Sequence, residues 1–270
     1  MLECRVAGPP PSRSSMLFLL KVAVSPILVA VISLAARWWG PTIGALLMGL
    51  PWLTGPVLYF LALDKGTAFG LQACTGIELG VVCICAFMLA YGAATTLAPW
   101  PVCLVAAAAA FAAAAWATSE VEIGLASAAA VAAASLGLTY ALLPRPATDV
   151  LLRALPWWDI PARMLATLVL VGGISLGAEA LGPQLSGIVS TYPAIVTVIG
   201  AFTHHRWGRD PVRHMLRGLA LSLLAFVAFF LAVGATLAAV GVTASFVLGT
   251  AAALAVSAVL LALNRWRTIR

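Results

Sequence analysis

Few residues in this chain could do chemistry, and they fall in three places. One is the stretch SGIVSTYPAIVT, where Ser186, Ser190, Thr191, Tyr192 and Thr197 surround Pro193. The second is Pro51 with Trp52 and Thr54 beside it. The third is Glu78 in CTGIELG, a lone carboxylate in an apolar run. Hydroxyls next to a proline can satisfy the backbone carbonyls that the proline frees, or they can coordinate a solute. A carboxylate inside a span is a candidate for proton coupling, cation binding or ion pairing. The candidate substrate-binding residues are therefore Pro51, Trp52, Thr54, Ser190, Thr191, Tyr192 and Pro193, with Glu78 as the candidate coupling group. Plainer readings stand beside these. Most prolines in membrane helices only kink them, and Glu78 could snorkel to the outer interface.

The usual parts of an enzyme are missing. The chain shows no nucleophile–base pair, phosphate loop, heme motif or zinc signature, and its three histidines sit in one short region. The five cysteines have no metal-ligand spacing and no CxxC pair, so they read as small apolar packers. No enzyme, cofactor or metal is expected.

The elements that position these residues follow from composition. Of 270 residues, 63% are hydrophobic and 9% charged, with a mean hydropathy of +1.08. Soluble domains carry about a quarter charged residues, so this composition points to a chain in a lipid bilayer. The net charge of +6 then records orientation, not nucleic-acid binding. Apolar runs predict nine spans, near 17–36, 42–63, 72–96, 100–118, 122–143, 162–180, 185–203, 214–240 and 243–264. Alternate connections divide the Lys and Arg residues eleven to four, which predicts an outside N-terminus and a cytoplasmic C-terminus. Residues 1–15 read as a flexible tail and 266–270 as a cytoplasmic one. The cluster His204, His205, Arg206, Arg209, Arg213, His214 and Arg217 reads as a topology signal that touches anionic headgroups.

The chain also repeats itself. GPTIGALLMGLP at 40–51 and GPQLSGIVSTYP at 182–193 share one frame, 142 positions apart. At that offset Gly66, Gly76, Phe87 and Gly92 meet Gly208, Gly218, Phe229 and Gly234, without gaps. Two four-span units (16–118 and 158–265) with a linker span (119–145) would form an all-α 4+1+4 inverted-topology repeat. Arg37 and Glu179 occupy the same repeat position with opposite charge, as units facing opposite sides would. Pro51 and Pro193 lie about 15 Å into their helices, near the middle of a ~30 Å core. Matched breaks there are where inverted-repeat transporters hold substrate.

Three runs carry a family resemblance: LFLLKVAVSPILVAVISLAARW, IGALLMGLPWLTGPVLYFLALDKG and SGIVSTYPAIVTVIGAF. Each half resembles the GlpM family of small four-helix bacterial inner-membrane proteins, over about 100 residues. The chain departs from that pattern in being a fused pair with a linker helix. The resemblance implies a link to alginate production, hence to envelope polysaccharide.

The sequence thus favours a bacterial inner-membrane secondary transporter, or permease, for a small polar solute, anions among the candidates. Its partners would be the bilayer and that solute, with no nucleic acid and with a homo-oligomer left open. The alternatives are a non-transporting scaffold or accessory protein for envelope polysaccharide, and a lipid-linked flippase.

Overall fold

The computed structural model describes residues 13–39, 47–52, 54–147, 158–180 and 192–268. Among these, all regular structure is helical: α1 (Arg13–Trp39), α2 (Thr54–Lys65), α3 (Thr67–Ala94), α4 (Trp100–Thr118), α5 (Leu125–Leu142), α6 (Asp159–Ala180), α7 (Ala194–Trp207) and α8 (Arg209–Thr268). Four of them, α3, α4, α5 and α8, are long and apolar enough to cross a bilayer, as suits a membrane protein. At 12 and 14 residues, α2 and α7 are each under about 22 Å long and too short to cross alone.

Several expected spans differ from the observed helices. The span 42–63 is not one helix: residues 47–48 are helical, 49–52 are not, and α2 begins only at Thr54. The span 185–203 is helical from Ala194, and its earlier part lies outside the described residues. The two final expected spans, 214–240 and 243–264, do meet at a break, because α8 is interrupted at Gly241 (φ 78, ψ 173). That backbone lies in the left-handed half of conformational space, where a side chain is strained and glycine is not.

The interruptions keep the spacing of the sequence repeat. Gly66 (φ 89, ψ 171) separates α2 from α3, and Gly208 (φ 83, ψ −166) separates α7 from α8. Both close the short helix with the same bond, Gly66 N–H to Ala62 C=O and Gly208 N–H to His204 C=O, each 3.0 Å. Pro99 caps the start of α4, and Gly241, the matching position, breaks α8. Each half therefore follows a short helix by a glycine hinge, a long helix, a second break and another long helix.

α3 and α8 form the centre, each packed on α5, and α1 packs on α6. Gly70 lies against Leu237, Gly234 against Cys74, and Arg213 binds Thr95, so the two central helices run antiparallel. Contacts between the halves are reciprocal: α2 meets the far limb of α8 through Tyr59 and Phe246, and α7 meets α4 through His205 and Trp100. α4 buries only the stripe Cys103, Ala107, Phe111 and Ala115. Val105 and Trp116, on other sides of it, are 70% and 81% exposed, an apolar exterior suited to lipid.

Candidate functional site

Both proline breaks have one local structure. Trp52 N–H donates to Leu50 C=O (2.9 Å), and Ala194 N–H donates to Tyr192 C=O (2.8 Å). Gly55 N–H then donates to Pro51 C=O (3.0 Å), and Thr197 N–H to Pro193 C=O (2.9 Å). A bond spanning two residues around a proline is an inverse γ-turn, and Pro193 has the matching φ of −79 and ψ of 63. Proline's ring presets that φ and supplies no N–H that would need an acceptor. The prolines therefore do more than kink a helix. Each starts a new helical segment, leaving first-turn N–H groups aimed back at the turn. No side chain caps the start of α7.

Tertiary contacts set the two breaks at similar depth. Gly49, just before Pro51, is pressed against Ser222 of α8, with the Ser222 carbonyl carbon 2.6 Å from where a Cβ would stand. Tyr192 packs edge-on against Phe87 of α3 (6.0 Å between centroids) and Phe111 of α4 (5.3 Å). In the antiparallel register of the central pair, Phe87 stands level with the turn of α8 that holds Ser222. Leu47, Met48 and Tyr192 all pack against the same core cluster.

The helices leading away from the two turns differ in the side chains they bring together. Thr197 Oγ1 donates to Tyr192 Oη (3.1 Å), and Tyr91 Oη lies 3.3 Å from His204 Nδ1. Arg213, 7% exposed, donates from Nε to Thr95 Oγ1 (2.8 Å) and pairs with Asp210 (3.5 Å). Burial, then the Arg213 charge, holds the His204 imidazole below the ordinary histidine value. The matching positions at the other end carry Leu50, Gly55, Val233, Ala62, Leu71 and Leu237. Of these, Leu50, Val233 and Leu237 join Phe229 and Phe230 in an apolar cluster around Leu58 and Cys74, while Leu71 is 40% exposed.

The expected site residues are thus only partly assembled. Pro51 and Thr54 frame the first turn, half-buried. Trp52 is 45% exposed, with its Nε1 donating to Leu47 C=O (2.7 Å). Pro193 is buried beside Tyr192, while Ser190 and Thr191 lie outside the described residues. Glu78 does not snorkel outward; it is wholly buried. Nor does it join the breaks, because nine residues of α3 separate it from Phe87, about 13 Å. The nearby base Lys65 of α2 lies over the Phe69 ring (4.6 Å).

The basic cluster also needs correcting, because part of it faces inward. Arg213 is buried as described above. Arg217 closes the end of α5, with Nη1 donating to Tyr140 C=O (2.9 Å) and Leu143 C=O (2.8 Å) and the guanidinium over the Tyr140 ring. Arg206 lies over Trp158 (4.8 Å), with its Nε 3.9 Å from Asp159. That aspartate holds Arg163 at 2.7 Å in a buried ion pair, which sequence reasoning missed. Its Asp-x-x-x-Arg spacing on one helix face was the available signal.

The comparisons with known proteins are silent: no family model, curated protein or solved structure matches this chain.

Proposed function

We propose that the chain is a secondary carrier of the bacterial inner membrane for a small, polar, anionic solute. Two inverted four-span units would rock against each other, with α5 as the linker that lets the second unit enter from the opposite face. One observation carries this reading: the same proline γ-turn, with the same two hydrogen bonds, interrupts both halves 142 residues apart. The reciprocal contacts of α2 and α7 support it, because a two-fold arrangement uses each surface both ways. Restarted helices offer N–H groups and a positive dipole end, which favours an anion or a hydrogen-bond acceptor. Tyr192, Thr197, Tyr91, His204 and Arg213 would line the route from the second turn.

The test has two arms. Thermal stabilisation of the purified protein by a panel of small carboxylates and phosphates would nominate a solute, whose uptake is then followed in proteoliposomes. Pro193→Ala and Tyr192→Phe should each lower uptake about tenfold, the loss of roughly 1.4 kcal/mol of useful interaction. Unchanged uptake in both removes the turn from the mechanism. Reporter fusions at residues 64–66 and 206–210 should report opposite compartments, and a shared compartment refutes the inversion.

A scaffold for envelope polysaccharide assembly is the second reading, and one observation favours it. Leu47, Met48, Phe87, Phe111 and Tyr192 pack into one continuous cluster around the breaks. In a carrier, that packing would be a closed state. In a scaffold it would be permanent, and no solute in the panel would stabilise the protein.

A further inference from the structure

Two carboxylates among the described residues are fully buried, Asp159 and Glu78, and they are treated very differently. Asp159 is held by Arg163. Neither oxygen of Glu78 has a hydrogen-bond partner. One turn before it, Cys74 belongs to the cluster of Phe229, Phe230, Val233 and Leu237. Three residues after it, Val81 belongs to the larger core. α3 packs against α2, α4, α5 and α8, and among the described residues no charged group on any of them acts on Glu78. Its one titratable neighbour is Cys74, on its own helix.

Packing does not require a carboxylate at this place. The matching position in the second half is Ala220, also buried. A bare charge without a donor is strongly disfavoured in such surroundings. Whatever neutralises Glu78 must therefore arrive from outside the protein. A metal cation would need several further oxygen ligands. The carbonyls of α3 are engaged in its own helical ladder, and no group of three or more metal-ligating side chains occurs among the described residues. A proton needs only one oxygen.

We propose that Glu78 is a proton-binding site within the membrane-spanning core. Hydronium gives its proton to one carboxylate oxygen and leaves as water, and the reverse step releases it, with no other bond made or broken. If the carrier reading above is right, loading and unloading this proton supplies the driving force for the solute. The site itself does not depend on that reading.

The experiment uses the full-length purified protein and dicyclohexylcarbodiimide, an apolar reagent that adds to a protonated carboxyl group to give a stable N-acylurea. Peptide mass spectrometry locates the adduct. Modification of Glu78 should rise as the pH is lowered, because only the protonated carboxyl group reacts. It should be the same in sodium and choline chloride, and absent from Glu78→Gln. Glu78→Gln should also melt no lower than the parent, because it removes no partnered group. No adduct at any pH overturns the proposal. So does protection by sodium, which would mean a metal cation site, or a large loss of stability in Glu78→Gln, which would mean a structural bond. Labelling as expected, with uptake that ignores an imposed pH gradient, overturns the coupling role alone. Labelling as expected, with no solute ever taken up, sinks the carrier reading and leaves the proton site standing.

Discussion

Along α7 and the helix ends it meets, the chain packs tyrosine, threonine, histidine and arginine; along α2 the matching places hold leucine, glycine, alanine and leucine. The backbone does not explain the difference, since both turns make the same two hydrogen bonds and both short helices close on a positive-φ glycine. A sharper comparison is one trio of contacts. At the first end a Cβ on Gly70 would meet Leu237 at 2.5 Å and Ala62 at 3.2 Å, in close apolar packing. The matching places at the second end are Val212, Thr95 and His204, where Thr95 binds Arg213 and His204 meets Tyr91. Identical scaffolding with different filling separates what the fold requires from what a function would add. The glycines and prolines recur because the backbone needs them. The polar side chains occur at one end only, so the fold did not demand them.

The largest expected effect tests whether the two ends are interchangeable. Gly49→Ala forces a methyl group into the backbone of Ser222, which cannot rotate away. Position 191, its counterpart, already carries threonine. A cost of about 3 kcal/mol or more is expected, seen as lost folded yield by size-exclusion chromatography in detergent. Tolerance of Gly49→Ala would mean that the close approach to α8 is not needed. Next comes Arg213→Leu, which gives the second end the residue of the first. It removes a buried charge bonded to Thr95 and Asp210 and should cost about 2–4 kcal/mol. Adding Thr95→Leu should recover part of that loss, because the hydroxyl no longer lacks its donor. Strict additivity in that cycle would show that the two residues do not act together. Tyr192→Phe is smaller still: Thr197 loses an acceptor, for about 1 kcal/mol in melting experiments.

How much of this was legible in the sequence depended on how local each feature is. The limits of α4 could be read because Pro99 and Pro101 mark its start and its small residues run unbroken. The glycine and proline register could be read because identity at a fixed offset needs no structure. The turn at Pro51 could not, since a proline that kinks a helix and one that ends it look alike in one dimension. The break at Gly241 could be read because an apolar run of about fifty residues is too long for one span, and the expected spans divide at 240 and 243. The polar end was hidden for another reason. Tyr91 and Thr95 come from α3, His204 from α7 and Arg213 from α8, and only tertiary packing brings them together. Arginines near a span end were read as facing headgroups, whereas Arg213 and Arg217 find donors' work inside, on a hydroxyl and on helix carbonyls.

The smallest effect concerns pH and belongs to the polar end alone. His204 is held below its ordinary pKa, first by burial and then by Arg213, so the folded protein binds less proton there than the unfolded chain. Stability therefore rises with pH across the interval between the folded and unfolded values. Sign and window follow directly. The contribution is fully present above the unfolded value near 6.5, and it declines as pH falls from there towards the lower folded value. Below both values it no longer changes. Ala62 holds the matching place at the apolar end and cannot titrate, so the whole effect should vanish in His204→Ala. Melting temperatures measured across that interval should slope for the parent and be flatter for the variant. Equal slopes would place the titration elsewhere, and the chemical difference between the two ends would then not extend to proton binding at His204.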